Sequence, residues 1–340
     1  MEYSSTISFP GLGIGEFTVS NVAFHIPGIE KPIMWYALFI TFGMICCIIY
    51  TITQARKINI TIDDVIDFAL FTIPIGVIGA RLYYVIFDTD PTHVYNDFID
   101  VIDMTKGGLA IYGGIIAGTI TVLLVSFFKK INFFAFGDCV APGVLLAQGI
   151  GRWGNFMNGE AFGYETDSFI RMGLQNHIVD GYIRKGVLTD VQIGQTAYVH
   201  PTFLYESLWN LTGVLLVYLF AKFIKKKYDG QLILLIFGWY GLGRMFIEGL
   251  RTDSLTNKAE DIRVSQALAA VIFVVCLVLL IIFAIKKPTK PLYCKALAEG
   301  ENKANEKVEF PIINKIREFF DSKKSNKIDD EKSENSETEE

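Results

Sequence analysis

Cysteine is scarce here and poorly placed for cross-linking. Five occur in 340 residues: Cys46, Cys47, Cys139 and Cys276 fall inside apolar runs, and Cys294 follows the last one. No C-x-x-C spacing is present, so neither a disulfide framework nor a zinc site is expected. The start, Met1-Glu2-Tyr3-Ser4, lacks a basic segment leading into a short apolar one, so a cleavable signal peptide is not expected. No repeat of the solenoid kind is visible. The mild acidic balance, net −5, comes mostly from the C-terminal end and says little about partners; nucleic acid is not expected among them.

Apolar residues, by contrast, make up 51% of the chain. They gather in blocks of roughly twenty, the length a helix needs to cross the ~30 Å hydrocarbon core of a bilayer. The blocks are Ile33–Thr53, Val65–Phe87, Gly107–Phe128, Phe133–Phe156, Pro201–Phe223, Gln231–Leu250 and Val264–Ile285. The predicted fold is therefore an all-α polytopic membrane protein of about seven transmembrane helices, residues 33–285. Residues 1–32 form an N-terminal segment outside the membrane. An insertion at 158–199, rich in glycine, charge and aromatics, forms a small extracytoplasmic subdomain of short strands or turns. Residues 286–340 form a charged cytoplasmic tail, largely disordered by composition. Within it "VEFPIINKIREFF" has the pattern of a short amphipathic helix lying on a membrane surface.

Basic residues set the orientation. Arg56-Lys57, Lys129-Lys130, Lys222 with Lys225-Lys226-Lys227, and Lys286-Lys287 fall in alternate connections, which the positive-inside rule makes cytoplasmic. The N-terminus is then outside and the C-terminus inside, as an odd number of spans requires.

With that topology several polar side chains fall at one depth near the outer face: Tyr36, Arg81, Tyr112, Arg152, Arg244, and His200 with Tyr205 and Glu206. Asp138 lies at the cytoplasmic end instead. An arginine at the bilayer centre costs from about 2.5 to about 17 kcal/mol depending on the method, and less near the interface. One arginine can snorkel to headgroup level. Three at one level point to a shared anion, and in a membrane the obvious one is a lipid phosphate, which a guanidinium fork suits better than an ammonium. In "YGLGRMFIEGLR", Tyr240, Arg244, Glu248 and Arg251 share a helical face, which reads either as a ladder of intrahelical ion pairs or as a stripe turned into a wet cavity. In "GIGRWGNFMNGEAFG", Arg152 and Asn155 share a face, as do Asn155 and Asn158, with Glu160 just beyond. "KGGLAIYGGIIAG" holds a small-x-x-x-small packing step, Gly114 to Gly118, and doubled glycines expected to mark a broken helix start. His200, in "HPTFLYE", has the ordinary pKa that makes it a natural proton acceptor.

Those stretches resemble the signatures of the bacterial prolipoprotein diacylglyceryl transferases. Gly151, Arg152, Gly154, Asn155, Phe156, Asn158, Glu160 and Gly163 match the family's most specific motif, and "WYALF", "GARLYYVIF", "KGGLAIYGG", "HPTFLYE" and the Tyr240–Arg251 stripe match others, over about residues 1–290. The resemblance implies transfer of a diacylglyceryl group from phosphatidylglycerol to the thiol of a lipobox cysteine in a preprolipoprotein signal peptide, at the bacterial cell membrane, with glycerol phosphate released and no cofactor. It assigns Arg152 and Arg244 to the phosphate. Glu160 and Glu248 orient the arginines or bind glycerol hydroxyls, and Tyr36, Asn155 and Tyr240 position the headgroup; Arg81, Asn158 and Arg251 join the substrate-binding set. Where some relatives carry a histidine cast as the base, this chain has Tyr112, a phenol and a poor base. The proton acceptor is then Tyr112, His200 or the lipid phosphate, with a hydrogen-bonding role favoured for Tyr112. A transporter for an anionic substrate is the competing class; the polar groups gather at one face and no inverted repeat is apparent, which speaks against it.

Overall fold

The computed structural model describes residues 4–28, 31–88, 107–253 and 263–286, with Asp97, Val101, Leu292 and Tyr293 besides. Among these, seven helices are long and apolar enough to cross a membrane. They are α1 (Trp35–Ala55), α2 (Ile62–Phe87), α3 (Ile111–Lys129), α4 (Phe133–Asn158), α6 (Thr202–Phe223), α7 (Gln231–Ile247) and α8 (Val264–Lys286). A short helix, α5 (His177–Arg184), lies in the insertion. The tail segment "VEFPIINKIREFF" lies outside the described residues.

Local sequence explains where several helices begin. Thr61 and Asp64 form a reciprocal capping box at the start of α2, the Thr61 hydroxyl accepting from the Asp64 amide at 3.2 Å and Asp64 accepting from the Thr61 amide at 3.1 Å. Asn132 accepts from the Phe134 and Ala135 amides at the start of α4. The first turn of α7 is capped from a different helix: Asp138 of α4 accepts from the amides of Gly230, Leu232 and Ile233 at 2.9–3.0 Å. Those amides have no partner within their own helix. Asp138, placed at the cytoplasmic end by sequence, thus has a structural task.

One end of the bundle carries a four-stranded sheet in the order β2 (Ile14–Ser20), β1 (Ser4–Phe9), β5 (Met172–Gln175), β6 (Ala197–Val199). All neighbours in it are antiparallel. The N-terminal segment and the insertion, two stretches far apart in sequence, therefore build one layer. Its inward face buries Ile7, Phe9, Met172, Leu174, Val179, Leu188, Ala197 and Val199 with Phe162 and Phe203. The hairpin β3 (Val22–Phe24) and β4 (Ile33–Met34) leads into α1. This end is called the sheet end below, and the opposite one the far end.

Packing among the helices is uneven. α1 lies along α4, and α2 along α3, whereas α3 and α4 meet only sparingly. Close approach of α2 and α3 centres on Gly79 and Gly113: a Cβ on Gly113 would collide with the Gly79 carbonyl and the Tyr83 side chain. At Gly114 and Gly118, the step read from sequence, an added Cβ would stand 3.4 Å or more from α2, which is ordinary contact. The two helix pairs join at the far end, where Ala55, Ile58, Ile60, Val65, Phe68, Val125, Ile131, Ala135 and Phe136 form a buried cluster with Tyr293. There Phe68 and Phe136 stack with ring centroids 3.7 Å apart.

A pair of tryptophans fixes α6 against α7. The Trp209 indole N–H donates to the Trp239 carbonyl and the Trp239 indole N–H to the Trp209 carbonyl, both at 2.9 Å, with the rings stacked at 4.3 Å. Each ring lies over a glycine of the opposite helix, Trp209 over Gly243 and Trp239 over Gly213.

Candidate functional site

The sheet ends of α4, α6 and α7 bring three guanidinium groups onto one carboxylate. Glu206 of α6, 4% exposed, pairs with Arg152 of α4 at 2.6 Å, with Arg244 of α7 at 3.3 Å and with Arg251 at 2.7 Å. Arg152 and Arg244 thus come from different helices and touch a common carboxylate.

Each arginine has further partners that set its direction. Arg244 pairs with Glu248, one helical turn on. Helix α7 ends at Ile247 and a 3₁₀ turn over Glu248–Leu250 carries the chain to Arg251, so Arg251 reaches the group through extended backbone and not by continuing the helical stripe. Its Nε and Nη2 both donate to Asp253, at 2.8 and 2.7 Å, while Nη1 holds Glu206. Burial pulls the Arg251 pKa down, but Asp253 and Glu206 outweigh it and hold the guanidinium above its ordinary value. Burial likewise lifts the Asp253 carboxyl, but its bonds to Arg251 prevail and keep it below the usual range. Arg251 is thus the saturated, buried member of the three. Arg152 and Arg244 are more open, with side chains 22% and 18% exposed.

The motif around Arg152 forms a relay. Arg152 Nη1 donates to Asn155 at 3.3 Å, and both Asn155 and Asn158 donate to Glu160 Oε1, at 3.1 and 2.9 Å. Glu160 therefore acts on Arg152 through Asn155. Gly154 supplies the room for Tyr36: a Cβ there would stand 2.6 Å from the Tyr36 ring.

Arg152, Asn155, Tyr36 and Tyr240 together line the polar mouth of a cavity of about 520 Å³. That is ample for a small-molecule ligand by the usual range of roughly 300–1,000 Å³. Below the mouth the walls are apolar, built from Ile40, Met44 and Ile48 of α1, Val65, Phe68 and Ile73 of α2, Val122 of α3 and Val140 and Val144 of α4. Cys47 lines it too, about 16 Å further down α1 than Tyr36 at 1.5 Å per residue.

Three residues singled out from sequence have their hydrogen-bond partners outside the Glu206 group. Arg81 is buried and bonds backbone carbonyls: Nε to Val101 at 2.9 Å, Nη1 to Gly107 at 2.8 Å and to Gly108 at 3.2 Å. Gly107 and Gly108 both take positive φ, +82° and +74°, so the doubled glycines are a left-handed turn clasped by Arg81, and α3 starts only at Ile111. Tyr112 bonds Ser265 of α8 at 3.3 Å. His200 lies just before α6, with Nδ1 3.2 Å from the Tyr205 hydroxyl, and burial lowers its pKa.

Sequence reasoning placed Glu206 at the right depth but gave it no task, and it missed Asp253. The signal available for both was charge balance: three cations that share one low-dielectric level require carboxylates there too.

The chain matches the family model for prolipoprotein diacylglyceryl transferase over residues 21–282. It is 40% identical over 250 residues to the phosphatidylglycerol–prolipoprotein diacylglyceryl transferase of Streptococcus mutans serotype c, covering 74% of this chain and 90% of that protein. To the protein named phosphatidylglycerol–prolipoprotein diacylglyceryl transferase 1 of Clostridium perfringens it is 38% identical over 277 residues, 81% of this chain and 99% of the relative. The Enterococcus faecalis protein of the same activity name is 40% identical over 268 residues, 78% and 90% of the two chains.

Proposed function

The chain belongs to the prolipoprotein diacylglyceryl transferase family, and from that premise we propose how its sheet end performs the transfer. The enzyme moves the diacylglyceryl group of phosphatidylglycerol onto a prolipoprotein, the first step of lipoprotein maturation. It is a multi-pass membrane protein.

The acceptor in our reading is the lipobox cysteine thiol of the signal peptide. Its sulfur attacks the glycerol carbon that carries the phosphate; a C–S bond forms, the C–O bond breaks, and the phosphate leaves with the electron pair as glycerol phosphate. Negative charge therefore grows on the phosphate as the reaction proceeds. Arg152 and Arg244 meet it with fixed, pre-oriented donors, and such donors stabilise a transition state because they need no rearrangement when the charge appears. Glu206, Glu248 and Asn155 hold the two forks in position. Arg251, committed to Asp253 and Glu206, anchors the group from behind. Tyr36, Tyr240 and Asn155 at the cavity mouth position the headgroup, with Glu160 and Asn158 bracing Asn155. Arg81 serves the site by fixing the turn before α3.

A free thiol, with a pKa near 8.5, is only a few per cent thiolate at neutrality. His200, whose pKa burial lowers, is the protein's acceptor for its proton in this scheme, and Tyr112 ties α3 to α8 as a hydrogen-bonding group. His200→Gln then lowers transfer on the order of 10²-fold. Transfer undiminished in that variant means the departing phosphate takes the proton itself.

The sheet end faces the exterior of the bacterial cytoplasmic membrane in this reading. Supporting it, Arg56, Lys57, Lys129, Lys130, Lys222, Lys225, Lys226, Lys227 and Lys286 all lie at the far end, the side that the positive-inside rule makes cytoplasmic.

The observation that carries the assignment is the convergence of Arg152 and Arg244 on Glu206, with Arg152 at the polar end of an apolar cavity between the helices. The test is the purified chain incubated with phosphatidylglycerol and a lipobox peptide. Diacylglyceryl mass on the peptide cysteine, with one glycerol phosphate released per peptide, is expected. Intact phosphatidylglycerol and unmodified peptide would overturn the reading.

A further inference from the structure

The cavity is deeper than one half of a bilayer. Along α1 its lining runs from Tyr36 at the mouth to Thr51, about 22 Å at 1.5 Å per residue. A single leaflet contributes about 15 Å, half of the ~30 Å hydrocarbon core. A fatty acyl chain whose headgroup sits at Arg152 therefore passes the bilayer midplane before it meets the end of the space.

That end is well defined. α2 and α3 stand apart from α4 along much of their length and close on it at the far end, where the Phe68 and Phe136 rings stack at 3.7 Å with an interplanar angle of 18°. Both rings line the cavity, and both belong to the buried cluster that joins the helix pairs. Of the two hydroxyls nearby, that of Thr51 donates to the Cys47 carbonyl of its own helix at 2.8 Å, and that of Thr72, one helical turn from Phe68 towards the mouth, is buried without a partner. The bottom is thus closed by two tightly packed rings beside Val65, an apolar end that suits a methyl terminus.

Building on the reaction proposed above, we infer that the Phe68–Phe136 stack is the floor on which one acyl chain of the lipid substrate ends, and that it sets the longest chain the enzyme transfers efficiently. A chain that stops short of the floor loses contacts gradually. A chain too long must buckle or hold its headgroup away from Arg152 and Arg244, which separates the reacting carbon from its stabilising donors. Selection by length thus acts at the opposite end of the substrate from the chemistry.

The experiment is a competition. Full-length enzyme and a lipobox peptide are incubated with an equimolar series of phosphatidylglycerols differing only in acyl-chain length, and product masses give the distribution. Phe136→Leu and Phe68→Ala lower the floor, and Ala69→Phe, one position from Phe68 and itself in the cavity wall, raises it. The expected result is a ratio of long-chain to short-chain product that rises roughly tenfold in the first two and falls by a similar factor in the third, the scale of discrimination a methylene commands in an apolar pocket. Because the readout is a ratio within one reaction, lower overall activity from weakened packing does not imitate it. Unchanged product distributions in all three variants, with transfer intact, overturn the floor while leaving the reaction assignment standing. Absence of product from every lipid with the unaltered enzyme overturns the reaction assignment itself.

Discussion

Buried charge at the two ends of this bundle is handled in opposite ways. At the far end two lysines each sit between two carboxylates: Lys129 bonds Asp64 at 2.7 Å and Asp67 at 2.6 Å, and Lys226 bonds Asp138 at 3.1 Å and Asp229 at 2.9 Å. At the sheet end one carboxylate, Glu206, is divided among three arginines. A compact ammonium between two acids is a closed structural clamp. A planar guanidinium has five donors in a fixed fork, so it can hold a carboxylate with one edge and present another to a ligand. The contrast teaches that pairing alone does not mark a structural ion pair; what matters is whether donor capacity still faces a cavity, as it does at Arg152.

The sharpest way to break this contrast is to exchange the cation. Arg152→Lys or Arg244→Lys keeps the charge but removes the fork, and transfer from phosphatidylglycerol to a lipobox peptide is expected to fall on the order of 10²–10³-fold. Lys226→Arg at the far end should leave transfer per folded molecule unchanged. Equal losses at both ends would erase the distinction.

Glu206→Gln tests the shared carboxylate. Three guanidiniums then face a neutral amide, and thermal unfolding in detergent should report a loss of roughly 3–5 kcal/mol, the cost of breaking a buried pair by removing one partner. Asp138→Asn weakens the cap on α7 and the Lys226 clamp but leaves an amide oxygen to accept from the helix. A loss of about 1–2 kcal/mol is expected, with catalysis per folded molecule retained.

The smallest effects come from pH, and one group from each end should act with opposite sign. Burial presses the Lys226 ammonium down, but Asp138 and Asp229 more than offset it and raise its pKa. A base held above its unfolded value of about 10.4 adds stability that is complete below that pH and is lost as pH climbs through the folded value. Burial raises Asp253, but Arg251 outweighs it and depresses the pKa. That contribution is complete above the unfolded value of about 3.9 and vanishes as pH falls through the folded one. Unfolding midpoints across pH should therefore show an alkaline loss made shallower by Lys226→Met and an acid loss made shallower by Asp253→Asn. If either substitution flattens the wrong limb, the assignment of charges to ends is wrong.

Much of the scaffold was legible in the sequence because a bilayer imposes a length and a polarity on each crossing segment. The seven apolar blocks agree with the seven spans to within a few residues at their ends. Helical spacing put Arg152 beside Asn155 and Arg244 beside Glu248, and both pairs are in contact, since each lies within a continuous helix or one turn beyond it. Spacing fails where the chain leaves the helix. Arg251 reaches Glu206 through a 3₁₀ turn, Arg81 finds its partners on a turn more than twenty residues away in sequence, and β1 and β5 pair across most of the N-terminal half. No periodicity in a single segment encodes such contacts. The cavity was equally hidden, because a gap between two helix pairs is a property of how they splay and not of any one of them.

The crossed indoles of α6 and α7 work as a ratchet pin. Sliding one helix past the other by a single residue, about 1.5 Å, would pull both N–H groups off their carbonyls and drive each ring off the glycine beneath it. The same slip would carry Arg244 along the helix axis from Glu206. Alignment of the ionic group with its carboxylate is thus locked from deeper in the bundle, by two side chains that bear no charge at all.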